Sequence, residues 1–124
     1  MKQALATAQA PAAIGPYSQG IAAGQTVYVS GQLPIDPATG AIPDGIAAQT
    51  AQSLKNIQAI LAEQGMTLAD VVKTTVFLAD MNDFAEMNKV YGEYFAQPFP
   101  ARSAVQVAKL PKGAPLEIEC IAVK

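Results

Sequence analysis

Few residues of this chain could do chemistry, and a single arginine stands out among them. Arg102 is the only guanidinium in a chain with seven lysines. It lies in the segment FPARSAVQVAKLP, whose alternation of polar and apolar residues predicts a half-buried strand. A guanidinium presents a planar fork of N–H donors that matches a carboxylate or a phosphate. The simpler alternative is a surface ion pair, which contributes little to stability. The residue type alone leaves both interpretations open.

Two carboxylates, Glu117 and Glu119, form the second candidate group. They are two residues apart on a predicted strand and therefore project from the same face. Like charges at that spacing need a partner or water, so the simplest interpretation is a solvated strand. The functional alternative is that one of them holds a water molecule or a proton near the anchor that Arg102 supplies.

Four further positions are candidates for contacts with a ligand. Gly31 follows Ser30 at the end of a predicted strand, where glycine admits either a closely approaching ligand or a bulge. Tyr17 follows a Gly-Pro pair and is equally typical of a core or interface aromatic. Asn88 lies at the edge of the apolar stripe of a predicted helix, where it suits an interface or a ligand contact.

The composition excludes several kinds of chemistry. The chain contains no histidine and one cysteine, Cys120. This excludes His-based acid–base catalysis, a zinc site built from those residue types and an intrachain disulfide. Cys120 is predicted to point inward together with Leu116 and Ile118, as a buried and inert thiol. No metal is therefore expected.

Charge and hydropathy limit the partners. The net charge is −2 and the lysines are scattered, so nucleic acid is not an expected partner. The N-terminus lacks the apolar region of a signal peptide and no run of about 18 apolar residues occurs. A cytoplasmic location without membrane contact is therefore expected. Charged residues make up only 15% of the chain, against roughly 25% in an average soluble domain. Part of the surface is expected to be covered, most simply by another copy of the chain.

The chain of 124 residues is expected to form one domain, 1–124, whose strands and helices position these residues. Residues 1–16 are predicted to be an irregular arm. Helices are predicted over about 46–64, capped by Asp44, and over about 83–95, capped by Asp83 together with Glu86. Strands are predicted over about 18–22, 27–30, 71–78, 102–108 and 116–123.

The resulting order β-β-α-β-α-β-β predicts an α+β fold, a mixed sheet with both helices on one face. Right-handed crossovers would make the strands on either side of each helix parallel. The second face of the sheet would be bare in a monomer. This is a further reason to expect a homo-oligomer.

Six segments of the sequence together resemble the RidA (YjgF) family over essentially the whole chain. They are APAAIGPYSQG, VYVSGQLPIDPATG, QSLKNIQAIL, VVKTTVFLADMNDFAEMNKVY, FPARSAVQVAKLP and LEIECIAV. The resemblance implies a chorismate-mutase-like α+β fold assembled as a homotrimer, with an active site in each cleft between subunits. It also implies hydrolytic deamination of reactive 2-imino acids, such as 2-aminoacrylate and 2-iminobutanoate, to 2-oxo acids and ammonia, with no cofactor.

The resemblance also implies roles for individual residues. Arg102 matches the arginine that clamps the substrate carboxylate, assisted by the backbone at Gly31. Glu117 matches the acid that positions the attacking water or relays protons. The remaining residues that would contact the substrate are Tyr17, Ser30 and Asn88.

Two other functions are compatible with the same resemblance. A non-catalytic member would bind small carboxylates in the same cleft and would not need Glu117. Members of the family have also been described as translation inhibitors and ribonucleases, which the acidic charge of this chain disfavours. Several members carry a cysteine two residues after the arginine, where this chain has Ala104. Imine hydrolysis as outlined does not require that thiol.

Overall fold

Six strands and two helices make up the regular structure of the computed structural model, which describes all 124 residues. Three short 3₁₀ turns at residues 68–70, 81–83 and 111–113 lie between them. Neither helix is long and apolar enough to cross a membrane. In chain order the strands and helices are β1 (Lys2–Leu5), β2 (Gly20–Ala23), β3 (Thr26–Gln32), α1 (Ile46–Ala62), β4 (Val71–Leu78), α2 (Phe84–Tyr94), β5 (Ala101–Gln106) and β6 (Leu116–Val123).

All six strands pair in one mixed sheet with the spatial order β1-β2-β3-β6-β4-β5. Only β4 and β5 pair in parallel, and the other neighbours are antiparallel. Because β6 lies between β3 and β4 and runs against both, β3 and β4 point in the same direction. The predicted parallel relation of the strands on either side of each helix is therefore confirmed.

Both helices pack against one face of the sheet and against each other. Alternate residues of the central strands point into this core, and Cys120 is among them, 3% exposed, as predicted. The predicted α+β fold with two helices on one face is confirmed. The fully buried side chains that fill the core include Val27, Leu54, Ile57, Leu61, Val76, Leu78, Met87, Leu116 and Ile118.

The opposite face of the sheet, which we name the open face, has no element packed on it within the chain. Tyr28, Val105 and Val123 lie on this face and are 50%, 43% and 40% exposed. Glu117 and Glu119 project from it as well, because they alternate with the buried Ile118 of β6. The expected bare face is therefore present.

The N-terminal segment differs from the prediction. Residues 2–5 form β1, which pairs antiparallel with β2 in the register Lys2↔Ala23 to Leu5↔Gly20. The prediction of an irregular arm over 1–16 is wrong for these residues. Only Leu5 of β1 is buried, so the segment KQAL carries no alternating pattern, and its strand conformation depends on the free edge of β2.

The predicted helix caps are also wrong. The N-cap residue of α1 is Gly45, and no side-chain hydrogen bond caps the helix, so Asp44 is not its cap. Asp83 is already in a helical conformation at the end of a 3₁₀ turn, so its carboxylate makes no capping hydrogen bond. The cap lies three residues earlier, where the carboxylate of Asp80 accepts a hydrogen bond from the backbone N–H of Asn82.

Candidate active site

Arg102 lies on the edge strand β5, and its guanidinium is turned toward α2. In the parallel ladder it is the register partner of Thr74, which is fully buried beneath the helix. Its Cζ atom lies 4.7 Å from the ring centroid of Tyr91 and 5.5 Å from that of Phe84. Its Nη1 group donates a hydrogen bond of 2.7 Å to Oδ1 of Asn88. Helix α2 therefore holds the guanidinium with two aromatic rings and one amide.

A cleft of about 390 Å³ opens beside this guanidinium. Asn88 occupies one of the five N–H donors of the arginine, so the others can form a two-point contact with a planar anion. One wall is apolar, since Phe99 is 54% exposed there. The cleft therefore suits a small carboxylate with an apolar side chain. Its lining residues are Asn88, Tyr91, Gly92, Phe99, Pro100 and Arg102.

The carboxyl group of Glu117 lies directly against the backbone of Gly31. A Cβ atom at Gly31 would be 2.6 Å from Cδ and 2.9 Å from Oε2 of Glu117. The φ angle of Gly31 is not positive, so it is this close approach, and not the backbone conformation, that requires glycine. The register of β3 against β6 also shifts between Val29 and Gln32, so the bulge predicted as one alternative for Gly31 is present.

The environment of Glu117 makes its carboxylate more basic than that of an exposed glutamate. Burial raises the pKa of this carboxyl above its usual value, and the negative charge of Glu119 raises it further. A carboxyl with a raised pKa exchanges its proton closer to neutral pH than an ordinary glutamate does. This suits a group that accepts a proton from water and returns it.

Ser30 attaches the segment that carries Tyr17 to β3. Its hydroxyl donates a hydrogen bond of 2.6 Å to the carbonyl of Ser18, and its backbone N–H donates one of 2.9 Å to the carbonyl of Gln19. Tyr17 itself is 52% exposed. Tyr17, Ser30 and the adjacent Gly31 therefore belong to one region of the surface.

Gln19 holds the arm that precedes Tyr17, and sequence reasoning missed it. Its Nε2 group donates to the carbonyls of Pro11 and Thr7 at 2.7 Å and 3.1 Å. Its Oε1 atom accepts a hydrogen bond of 2.7 Å from the backbone N–H of Thr7. The glutamine is 4% exposed. No local pattern marks it, because its partners are backbone groups of an irregular segment.

The six predicted site residues fall into two groups within one chain. On β4, Phe77 pairs with Glu117 and Thr74 pairs with Arg102. These two β4 residues are three positions apart, so Glu117 and Arg102 project from opposite faces of the sheet. A single chain therefore does not bring them together. We name the groups the arginine half-site (Asn88 and Arg102) and the glutamate half-site (Tyr17, Ser30, Gly31 and Glu117).

The remaining reactive groups add no further chemistry to either half-site. Cys120 lies in the core, and burial raises the pKa of its thiol to about 12, with a smaller contribution from the charge of Glu119. Such a thiol is not a nucleophile at neutral pH. No three acidic or cysteine side chains are grouped so as to hold a metal ion.

The arginine held beside an open cleft and the carboxyl of raised pKa on the other face of the sheet are features suited to a small carboxylate-binding protein. Residues 7–124 match the sequence profile of the family described as Endoribonuclease L-PSP, and the chain belongs to this family. A relative from Salmonella typhimurium, named 2-iminobutanoate/2-iminopropanoate deaminase, is 51% identical over 100% of this chain and 99% of its own length.

Two solved structures from Escherichia coli share the fold. The crystal structure of the YjgF gene product superimposes with a TM-score of 0.93 and 51% identity, covering 98% of both chains. The crystal structure of TdcF with bound serine gives a TM-score of 0.93 and 48% identity, also covering 98% of both chains. The predicted membership of the RidA (YjgF) family is therefore confirmed.

Proposed function

We propose that this protein is a hydrolytic deaminase of 2-imino acids, which converts imines such as 2-iminobutanoate and 2-iminopropanoate to 2-oxo acids and ammonia. The observation that carries the proposal is the guanidinium of Arg102, which is held by Asn88 and the ring of Tyr91 at the edge of an open cleft. A planar donor fork in that setting is suited to the carboxylate that all these substrates share. The name of the Salmonella typhimurium relative gives independent support.

The reaction needs only groups that the chain possesses. The carbon of a protonated imine is electrophilic, so water adds to it, a C–O bond forms, the C–N bond breaks and ammonia leaves. RC(=NH₂⁺)COO⁻ and H₂O thus give RCOCOO⁻ and NH₄⁺ without electron transfer, and no cofactor is required. Catalysis then consists of anchoring the substrate and presenting a water molecule to it.

In this proposal Arg102 binds the substrate carboxylate and Asn88 fixes the orientation of the guanidinium. Glu117 accepts a proton from the attacking water, a role that its raised pKa supports. The rest of the proposed site is lined by Tyr17, Ser30 and Gly31.

We further propose that each site joins the arginine half-site of one subunit to the glutamate half-site of its neighbour in a homotrimer. The projection of Arg102 and Glu117 from opposite faces supports this arrangement, since one chain cannot apply both to one substrate. The exposed apolar side chains of Tyr28, Val105 and Val123 on the open face and the low charge content also support it.

The first test is the removal of the carboxylate anchor. Arg102→Ala should lower kcat/KM at least about a hundredfold, because a charge-assisted two-point contact is lost. The assay follows ammonia and 2-oxo acid released from an imine that an amino acid oxidase generates in situ. Lys89→Ala is the matched control, because it removes the charge of an exposed side chain next to Asn88. Equal activity of Arg102→Ala and wild type would refute the proposal.

The second test mixes two inactive variants. Arg102→Ala and Glu117→Gln subunits, refolded together from denaturant at equal concentrations, should regain about a quarter of the wild-type activity. In a closed ring with random mixing, about one interface in four pairs an intact arginine with an intact glutamate. Each variant refolded alone is the control. Absence of any recovery in a mixture whose native mass shows trimers that contain both variants would contradict a shared site.

The family description favours one second candidate function, an endoribonuclease. The net charge of −2 argues against it, because phosphate backbones are bound by clustered cations. Salt-dependent binding of single-stranded RNA at physiological ionic strength would support the nuclease. The Glu117→Gln variant distinguishes a deaminase from a protein that only binds carboxylates. If the protein is a deaminase, this variant should retain affinity for a 2-oxo acid and lose turnover.

We also propose that the protein acts in the cytoplasm. Its single cysteine is free, which is typical of proteins from reducing compartments. Cell fractionation of the tagged full chain tests this, and recovery in an extracellular or envelope fraction would contradict it.

A further inference from the structure

Tyr91 has contacts that core packing alone does not require. The side chain is 5% exposed, and its ring packs against that of Phe95 at a centroid distance of 4.6 Å. Its hydroxyl shares a hydrogen bond of 2.7 Å with Oγ1 of Thr74. The face of the same ring lies 4.7 Å from Cζ of Arg102. One aromatic ring therefore connects a buried hydroxyl of the sheet to the guanidinium in the cleft.

Thr74 of β4 holds the ring of Tyr91 through this hydrogen bond, and the same residue of β4 lies opposite Arg102 of β5. It is fully buried, and it is the register partner of Arg102 in the parallel pair of β4 and β5. The ring and the backbone of Arg102 are thus attached to the same point of the sheet. Burial raises the pKa of the Tyr91 phenol, while the hydrogen bond shared with Thr74 and the charge of Arg102 act in the opposite direction. The phenol stays neutral at physiological pH.

We propose that Tyr91, held in place by Thr74, is a positioning residue that orients the guanidinium of Arg102 for carboxylate binding. This inference rests on the proposed role of Arg102. A free arginine side chain has several rotatable bonds, whose ordering opposes binding. The ring below the guanidinium and the Oδ1 atom of Asn88 at Nη1 remove most of that freedom before a ligand arrives. Phe84, at 5.5 Å, adds a weaker contact.

The single arginine of the chain gives a direct probe of its orientation. Protein labelled with ¹⁵N,¹³C-arginine yields guanidinium NMR signals from Arg102 alone. Nuclei above the face of an aromatic ring are shielded by it, so the signals should move on replacement of Tyr91 by leucine. Tyr91→Phe retains the ring and should retain most of the shielding. Neither measurement requires turnover.

Affinity for 2-oxobutanoate, measured by titration of the same signals, gives the second readout. Tyr91→Leu should raise Kd about tenfold, because the cation–π contact and the ordering of the side chain are both lost. Tyr91→Phe and Thr74→Val should each raise Kd about threefold. Their combination should be no worse than either alone, since both remove the same hydrogen bond. In turnover, Tyr91→Leu should raise KM more than it lowers kcat.

Tyr94→Leu is the matched control, since it removes a partly buried ring of the same helix that does not stack on the guanidinium of Arg102. It should leave Kd within twofold of wild type even where it lowers the melting temperature. An unchanged Kd and unchanged arginine signals in folded Tyr91→Leu would overturn the inference. Should that variant not fold, unchanged Kd in both Tyr91→Phe and Thr74→Val would overturn it equally.

The experiment separates this inference from the proposed function. Full deaminase activity of Arg102→Ala would refute the proposed mechanism. The guanidinium signals of wild type and of the Tyr91 variants, which all retain Arg102, would still report whether Tyr91 orients the guanidinium. Conversely, Tyr91 variants with wild-type signals and affinity would refute the inference and leave the deaminase proposal intact.

Discussion

The contact between Gly31 and Glu117 allows a quantitative prediction for Gly31→Ala. The added methyl carbon would lie 2.6 Å from Cδ of Glu117 and 2.9 Å from its Cγ and Oε2 atoms. Optimal separations for such atoms are about 3.5–4.0 Å, so the carboxyl must move by roughly 1 Å. The fold itself should change little, because the end of a flexible, half-buried side chain can rotate away.

A displacement of about 1 Å at a catalytic group typically lowers the rate by about a hundredfold. We therefore expect Gly31→Ala to lower kcat ten- to a hundredfold, with a change in unfolding free energy below about 1 kcal/mol. Ammonia release gives kcat and urea denaturation gives the stability. Affinity for 2-oxobutanoate should fall less than kcat, because the methyl group displaces Glu117 and not the arginine half-site.

The double variant with Glu117→Ala provides the control. Without the glutamate side chain the methyl group has nothing to displace, so Gly31→Ala should have no further effect on the residual turnover. If Gly31→Ala lowers kcat of the Glu117→Ala variant as much as it lowers kcat of the wild type, the methyl group acts on the substrate or the backbone. Wild-type kcat in the single variant would refute the assigned contact altogether.

Three further predictions concern charge, stability and reactivity. Glu119→Gln should shift the acidic limb of the pH–rate profile to lower pH, because removal of the neighbouring charge lowers the pKa of Glu117. Burial should still keep that pKa above its usual value. An unchanged acidic limb would mean that a group other than Glu117 controls it. Asn56→Ala should lower the unfolding free energy by about 3 kcal/mol in urea titrations, since the buried amide donates hydrogen bonds to two backbone carbonyls; exposed Gln58→Ala on the same helix should change it by less than about 0.5 kcal/mol. The thiol of Cys120, with its pKa near 12, should react with a thiol reagent only as fast as the protein unfolds; rapid reaction of the native protein would contradict its burial.

Local periodicity was sufficient to predict the faces of the long strands. The alternation of LEIECIAV directs Cys120 to the core and Glu117 with Glu119 to the other side, as found. The positions of α1, β4 and β6 follow from patterns that each segment carries by itself. β1 could not be predicted, because Lys2 to Leu5 have a single buried residue and form a strand only through pairing with β2.

The environment of Arg102 was not readable from the sequence for a related reason. Its contact with Tyr91 depends on the register of β5 on β4 and on the rotation of α2, neither of which a local pattern specifies. Tyr91 is buried on the apolar side of α2, but the apolar spacing of that helix gives no sign of its contact with Arg102. Similarly, Asn56 is buried in α1 because it satisfies carbonyl groups of a distant segment, 21 and 23 residues away in sequence.

The placement of Arg102 and Glu117 on opposite faces has a consequence for how the activity depends on protein concentration. In the proposed trimer an isolated chain carries half of two different sites and no complete one. Specific activity should then decline on dilution below the dissociation constant of the trimer. Newly synthesised chains should be inactive until they assemble into trimers. Closely related chains that co-assemble would also exchange halves, so that one cell could contain sites with specificities that neither chain has alone.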